Sequence, residues 1–167
     1  MKVLTLIISL AFSVISFSQT AEEFFNRGVK KSLFEGDNRG AIVDFNKAIE
    51  LNPKYGLAYL SRGLSKAELE DYRGAIADFN IAIELKPKDA SSYHGRGESK
   101  AKLEDYIGAI ADYTKAIELK PKYARAYFNR GLSKMLLKQK DGGCLDLSKA
   151  GELGMEEAYD AIKEFCQ

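Results

Sequence analysis

The sequence predicts an all-α solenoid of four helix hairpins closed by a short capping helix, and three observations carry that prediction. First, Arg62-Gly63-Leu64-Ser65-Lys66-Ala67 recurs as Arg96-Gly97-Glu98-Ser99-Lys100-Ala101 and as Arg130-Gly131-Leu132-Ser133-Lys134-Met135, each step being 34 residues. Second, Gly40-Ala41-Ile42-Val43-Asp44-Phe45 returns at the same period as Gly74 to Phe79 and Gly108 to Tyr113, with prolines at Pro53, Pro87 and Pro121. A period of 20 to 50 residues is the signature of stacked supersecondary units. Third, three prolines and no tryptophan, in a chain rich in Ala, Leu, Lys and Glu, favour helix over sheet.

The chain opens on a different kind of segment. Met1 and Lys2 precede an acid-free apolar run from Val3 to Phe17, short of the roughly 20 residues that span a bilayer. Lys2, the run, and the small residues around Ser16-Phe17-Ser18 read as an export signal at 1–18 with cleavage before Gln19, leaving a mature domain over 19–167. An uncleaved membrane anchor is the alternative. No cysteine stands near the cleavage point to take a lipid.

The units then follow at about 21–55, 56–89, 90–123 and 124–155, with the cap at 156–166. In the second, Ala58, Tyr59, Leu60, Leu64, Ala67 and Leu69 are spaced mostly three and four apart, as an amphipathic helix requires. Glu70-Asp71 makes a turn, and Tyr72, Ala75, Ile76, Phe79, Ala82, Ile83 and Leu85 form a second stripe that stops at Lys86-Pro87. The first unit has one extra residue near Gly36-Asp37. The fourth replaces the turn tyrosine with Lys140, the second-helix aromatic with Leu147 and the closing proline with Met155, as terminal repeats lacking one neighbour do. Beyond it Met155, Tyr159, Ile162, Phe165 and Cys166 form a last apolar stripe expected to pack on the fourth unit.

With Tyr59, Gly63, Ala75, Phe79, Ala82 and Pro87 in one unit and Tyr93, Gly97, Ala109, Tyr113, Ala116 and Pro121 in the next, the chain resembles the tetratricopeptide-repeat family over residues 21 to about 157. The resemblance implies a right-handed solenoid whose concave wall is lined by first helices and holds the ligand. Carried over in register, the expected groove residues are Phe25, Leu60, His94 and Phe128, then Val29, Leu64, Glu98 and Leu132 one turn on, with Glu22, Leu57, Ser91 and Arg125 at the helix starts. Covering of helix interfaces is the alternative role for them. Family grooves that take acidic carboxyl-terminal tails use lysine, asparagine and arginine at first-helix positions. Here those positions carry Phe25, Val29, Ser61, Arg125 and Asn129, so recognition of such tails is not implied. The end segment, Asp141-Gly142-Gly143-Cys144 onward, is similar to the ends of many small exported repeat proteins of the Bacteroidota.

Each unit carries arginine before its glycine, at Arg27, Arg62, Arg96 and Arg130, and aspartate before its second-helix aromatic, at Asp44, Asp78, Asp112 and Asp146. The expected role is a structural ladder of ion pairs between first and second helices; a row of arginines for an acidic ligand is the alternative. Cys144 and Cys166 lie almost equidistant in sequence from the turn at Gly154. Antiparallel helices rise alike from their turn, so a disulfide is expected, two buried free thiols being the alternative.

Composition and motifs narrow the function. Without Lys2 the chain carries 24 basic and 24 acidic side chains, too balanced to recruit nucleic acid or anionic lipid through bulk charge. One histidine and no C-x-x-C, H-E-x-x-H, G-x-S-x-G or P-loop spacing leave no catalytic or metal constellation to name, and no cofactor is expected. The expectation is a non-enzymatic scaffold in the periplasm or outside the cell that binds a peptide or partner protein. An accessory subunit that positions a catalytic partner in an envelope complex is the alternative.

Overall fold

The computed structural model describes residues 19–166, so the expected leader at 1–18 lies outside the described residues. Among these residues the chain is helical throughout: α1 (Ala21–Phe34), α2 (Asn38–Leu51), α3 (Gly56–Glu68), α4 (Tyr72–Leu85), α5 (Ala90–Lys102), α6 (Tyr106–Leu119), α7 (Ala124–Leu136), α8 (Lys140–Glu152) and α9 (Glu157–Phe165). The first eight pair as four consecutive hairpins, and α9 packs on α8.

Turn chemistry sets the hairpins. Asp37, Asp71 and Asp105 cap α2, α4 and α6 by accepting from the amides of Gly40, Gly74 and Gly108. A Cβ at these glycines would lie 2.0–2.2 Å from the capping carboxylate as it sits here, so glycine lets the aspartate close tightly over the helix start. Just before each cap the chain enters the left-handed region at Gly36, Glu70, Glu104 and Lys138, with φ of 68°, 62°, 64° and 60°. Position 36 is glycine, while the other three accept a modest strain to close the turn. Asn52, Lys86 and Lys120 end the second helices, donating their N–H groups to Ala48, Ala82 and Ala116, and the prolines follow.

The core is a column of small and aromatic residues. Ala41, Phe45 and Ala48, with Ala75, Phe79 and Ala82 and then Ala109, Tyr113 and Ala116, are almost wholly buried. A Cβ at Gly28, Gly63 or Gly97 would come within 2.7–2.8 Å of the Phe45, Phe79 or Tyr113 ring, so glycine lets the first helix close on the second.

Beside the core runs a repeated ionic clamp. Each aspartate of the series is at most 5% exposed. Asp78 receives Nε of Arg62 at 2.9 Å and its terminal nitrogen at 2.5 Å, while Lys66 reaches the same carboxylate at 2.8 Å. Arg27 with Lys31 on Asp44, Arg96 with Lys100 on Asp112, and Arg130 with Lys134 on Asp146 repeat the arrangement. The remaining guanidinium nitrogen reaches back to the preceding hairpin, from Arg62 to Asn46, Arg96 to Asn80 and Arg130 to Thr114, at 2.7–3.0 Å. Arg27 has no preceding hairpin and reaches Gln19 at 3.4 Å. The arginines therefore tie helix to helix and repeat to repeat, and the lysines four residues later are partners that the sequence pattern contained but the pairing of Arg with Asp alone did not require. Removing one partner of such a buried pair costs on the order of 3 kcal/mol.

At the far end Cys144 and Cys166 are joined in a disulfide with Cα atoms 5.8 Å apart. The packed stripe of α9 differs from the sequence expectation: Ala158 and Ala161 are its buried residues, whereas Tyr159 is 52% and Phe165 39% exposed. The reason is steric. The approach of α9 to Gly151 leaves room for alanines, and the Tyr159 ring lies across that glycine with its outer edge in solvent.

Candidate functional site

Successive first helices touch one another, α1 with α3, α3 with α5 and α5 with α7, and the second helices make no comparable contact with each other. The stack therefore curves toward the first-helix side, whose wall is the inner one. Three clefts run along it. The first, about 540 Å³, is lined by Val29, Leu33, Phe45 and Leu64 with Ser32, Ser61 and Glu68. The second, about 360 Å³, shares Leu64 and Glu68 with it and adds Tyr72, Phe79, Glu98 and Lys102. The third, about 380 Å³, continues from Glu98 and Lys102 to Tyr106, Tyr113, Asn129, Leu132 and Leu136. Shared walls make the three a continuous groove.

The expected groove residues divide along this wall. Val29, Leu64, Glu98 and Leu132 line the clefts. Leu57 and Arg125 are exposed at the starts of α3 and α7. The row one turn earlier behaves otherwise. Phe25 packs its ring 5.0 Å from Tyr55 and 5.9 Å from Phe45, and Leu60 and Phe128 are half-buried. His94, expected in the groove, is a correction: it is 4% exposed, wedged 4.9 Å from the Tyr123 ring and 5.6 Å from Tyr113. Phe25 and His94 occupy the same register, where the ring fills the junction with the tyrosine that begins the next unit or next but one helix. The wall is not uniformly apolar, since Glu68, Lys102 and Asn129 join it. Leu33, Glu68, Lys102 and Leu136 were not singled out by sequence, although each lies four residues beyond Val29, Leu64, Glu98 and Leu132 and so extends the same helix face.

At the middle of the groove three side chains form a polar triangle. Glu98 accepts from the Asn129 amide at 3.1 Å, and its other oxygen lies 3.3 Å from Nδ1 of His94, whose Nε2 is 3.2 Å from the same amide. Burial, helped by the nearby Arg125 cation, pulls the His94 pKa down to about 4, so the ring is neutral at pH 7. The neutral ring donates from Nδ1 to Glu98 and accepts from Asn129 at Nε2. Burial pushes the Glu98 carboxyl up, opposed by the Asn129 hydrogen bond and the Arg125 charge. Burial likewise raises the Tyr113 hydroxyl at the floor of the third cleft. Among the described residues no three His, Cys, Asp or Glu side chains converge as a metal site.

Paired helices stacked at a 34-residue period, with a groove along the first helices, define a helix-hairpin repeat protein. Models of the tetratricopeptide repeat match residues 33–90, and of the TPR repeat residues 97–137. A human relative, tetratricopeptide repeat protein 6 of Homo sapiens, is 45% identical over 51 residues, which are 30% of this chain and 10% of the relative. The chain thus spans a tenth of the length of that curated relative. Among solved structures, that of MamA has a TM-score of 0.76 at 25% identity, covering 83% of this chain and 81% of its own. The first TPR of Spaghetti (RPAP3), bound to the HSP90 peptide SRMEEVD, has a TM-score of 0.70 at 24% identity, covering 72% of this chain and 95% of its own. The chain belongs to the tetratricopeptide-repeat family.

Proposed function

We propose that this protein is a non-catalytic scaffold that holds a peptide or a segment of a partner protein in its first-helix groove. The observation that carries the reading is the continuous groove itself, in which Leu33 is 73%, Leu64 45% and Leu136 61% exposed. Apolar groups on an inner wall are what an extended or helical segment would cover. The first TPR of RPAP3, which has a similar fold, is bound to a peptide, and this supports peptide holding as the role. Leu33→Glu with Leu64→Glu is expected to abolish partner binding while helicity and Tm stay near wild type, because Leu33 stands largely and Leu64 nearly half in water. Binding retained in that double variant would move the site to the second-helix face.

The address belongs to the same proposal. The leader pattern at 1–18 and a disulfide, which persists in oxidising compartments, both support export to the periplasm or the exterior. Amino-terminal analysis of the protein from an envelope or culture fraction is expected to begin at Gln19. Recovery of Lys2 in a membrane pellet would contradict it.

A further inference from the structure

The groove is patterned along its length. At the row Val29, Leu64, Glu98 and Leu132 the one charge stands third, at Glu98, and at the row Leu33, Glu68, Lys102 and Leu136 the ends are apolar and both middle positions are charged. The first cleft is lined mainly by apolar groups, and the third sets Leu132 and Leu136 beside Tyr106, Tyr113 and the shared Glu98 and Lys102. The second brings Glu68, Glu70 and Glu98 together with a single cation, Lys102.

Glu98 differs from an ordinary surface carboxylate. Its side chain is 44% exposed, its two oxygens are held by the Asn129 amide and the neutral His94 ring, and those partners cancel none of its charge. His94 is itself fixed between two tyrosine rings, so the carboxylate is oriented by a buried framework. The ion pairs of the clamp neutralise the aspartates of the second helices, whereas Glu98 has no lysine or arginine within salt-bridge distance among the described residues, Arg125 and Lys102 acting on it from further off.

We propose that the groove selects a segment with a basic side chain between two apolar ones, the lysine or arginine meeting Glu98 in the central cleft and the apolar groups filling the clefts beside Leu64 and Leu132. This rests on the scaffold reading above. A cation arriving there meets a preoriented, partly desolvated carboxylate, where an ion pair is stronger than on an open surface. An acidic residue at that place would face three carboxylates, which turns the pattern into discrimination as well as attraction. Burial already raises the Glu98 carboxyl, so an added cation would also favour the ionised form.

The test is a selection from a random displayed library of peptides about twelve residues long against the disulfide-bonded chain, followed by fluorescence anisotropy on one enriched peptide. Enrichment of lysine or arginine between two apolar residues is expected. Replacing that basic residue by glutamate should weaken binding at least about tenfold and by norleucine about threefold or more. On Glu98→Gln the gap between the basic and norleucine peptides should close to less than about twofold. Equal affinity of those two peptides on the wild type, an unchanged gap on Glu98→Gln, or enrichment of acidic or purely apolar segments would overturn the proposal while leaving the scaffold reading in place. Failure to enrich any segment, or a groove occupied by a second copy in solution, would overturn both.

Discussion

His94 shows how one residue is governed by its place and not by its type. Its ring is neutral because it is buried, with a pKa near 4 against 6.5 for an unburied imidazole. A depressed histidine pKa means that the unfolded chain binds the proton first, so the stability from burying the neutral ring is complete above about pH 6.5. It is lost as pH falls toward 4, by an amount on the order of 3 kcal/mol. Glu98 works in the opposite sense, since its raised pKa lets the native state take up a proton earlier on acidification. Because the chain has one histidine, its ring signal in an NMR titration is unambiguous, and its midpoint is expected near pH 4. A midpoint near 6.5 would show a solvated ring. In sequence, His94 stands in register with Phe25, Leu60 and Phe128, and the register alone puts it among the groove residues. Burial by Tyr123 comes from the neighbouring unit, which a single helix face does not reveal. The Arg and Asp series was legible because it repeats four times, and a repeated pair points to the lattice rather than to one ligand.

At the scale of the helix, the repeat records which ends are finished and which are not. Three second helices begin at a capping aspartate, but α8 begins at Gln139, which makes no side-chain cap. Gly142 stands three residues on, with only the flexible Lys134 side chain within 4 Å of its Cβ position, so the Asp-x-x-Gly spacing of the other turns is present. Gln139→Asp is therefore expected to raise stability by about 1 kcal/mol, read as a higher denaturant midpoint at unchanged m-value. No gain would mean that the Lys138 turn does not present the carboxylate to the Gly142 amide. The outer faces of the array are closed by different means. Inner first helices bury Ala58, Ser92 and Ala126, and Ser65, Ser99 and Ser133, against the preceding unit, whereas α1 has Glu23 and Lys30 at those places, both exposed. Another repeat could not stack there without burying two charges. At the other end α9 and its disulfide cover α8. A helix of nine residues is marginal alone, and the chain-entropy model gives such a 22-residue cross-link about 3 kcal/mol.

Across the whole molecule, the architecture was readable because a period of 34 residues is a global signal carried by many local ones: Gly63 against Phe79, Asp71 over Gly74, Pro87 after Leu85. The groove was readable only as a face. Which of its residues stand in open clefts depends on how far each unit rotates on the next, and that rotation sinks the Phe25 to Phe128 row while opening the rows from Val29 and Leu33 onward. The central claim is that partners bind on the inner, first-helix wall. Both walls carry exposed methyl groups that report on it: Leu33, Leu64 and Leu136 inside, and Val43, Ile107 and Leu145 on the second helices. A methyl NMR titration of the chain with a bound segment tests the claim most directly. Shifts confined to Leu33, Leu64, Leu132 and Leu136 are the predicted result, and shifts centred on Val43, Ile107 and Leu145 with the inner set unmoved would contradict it.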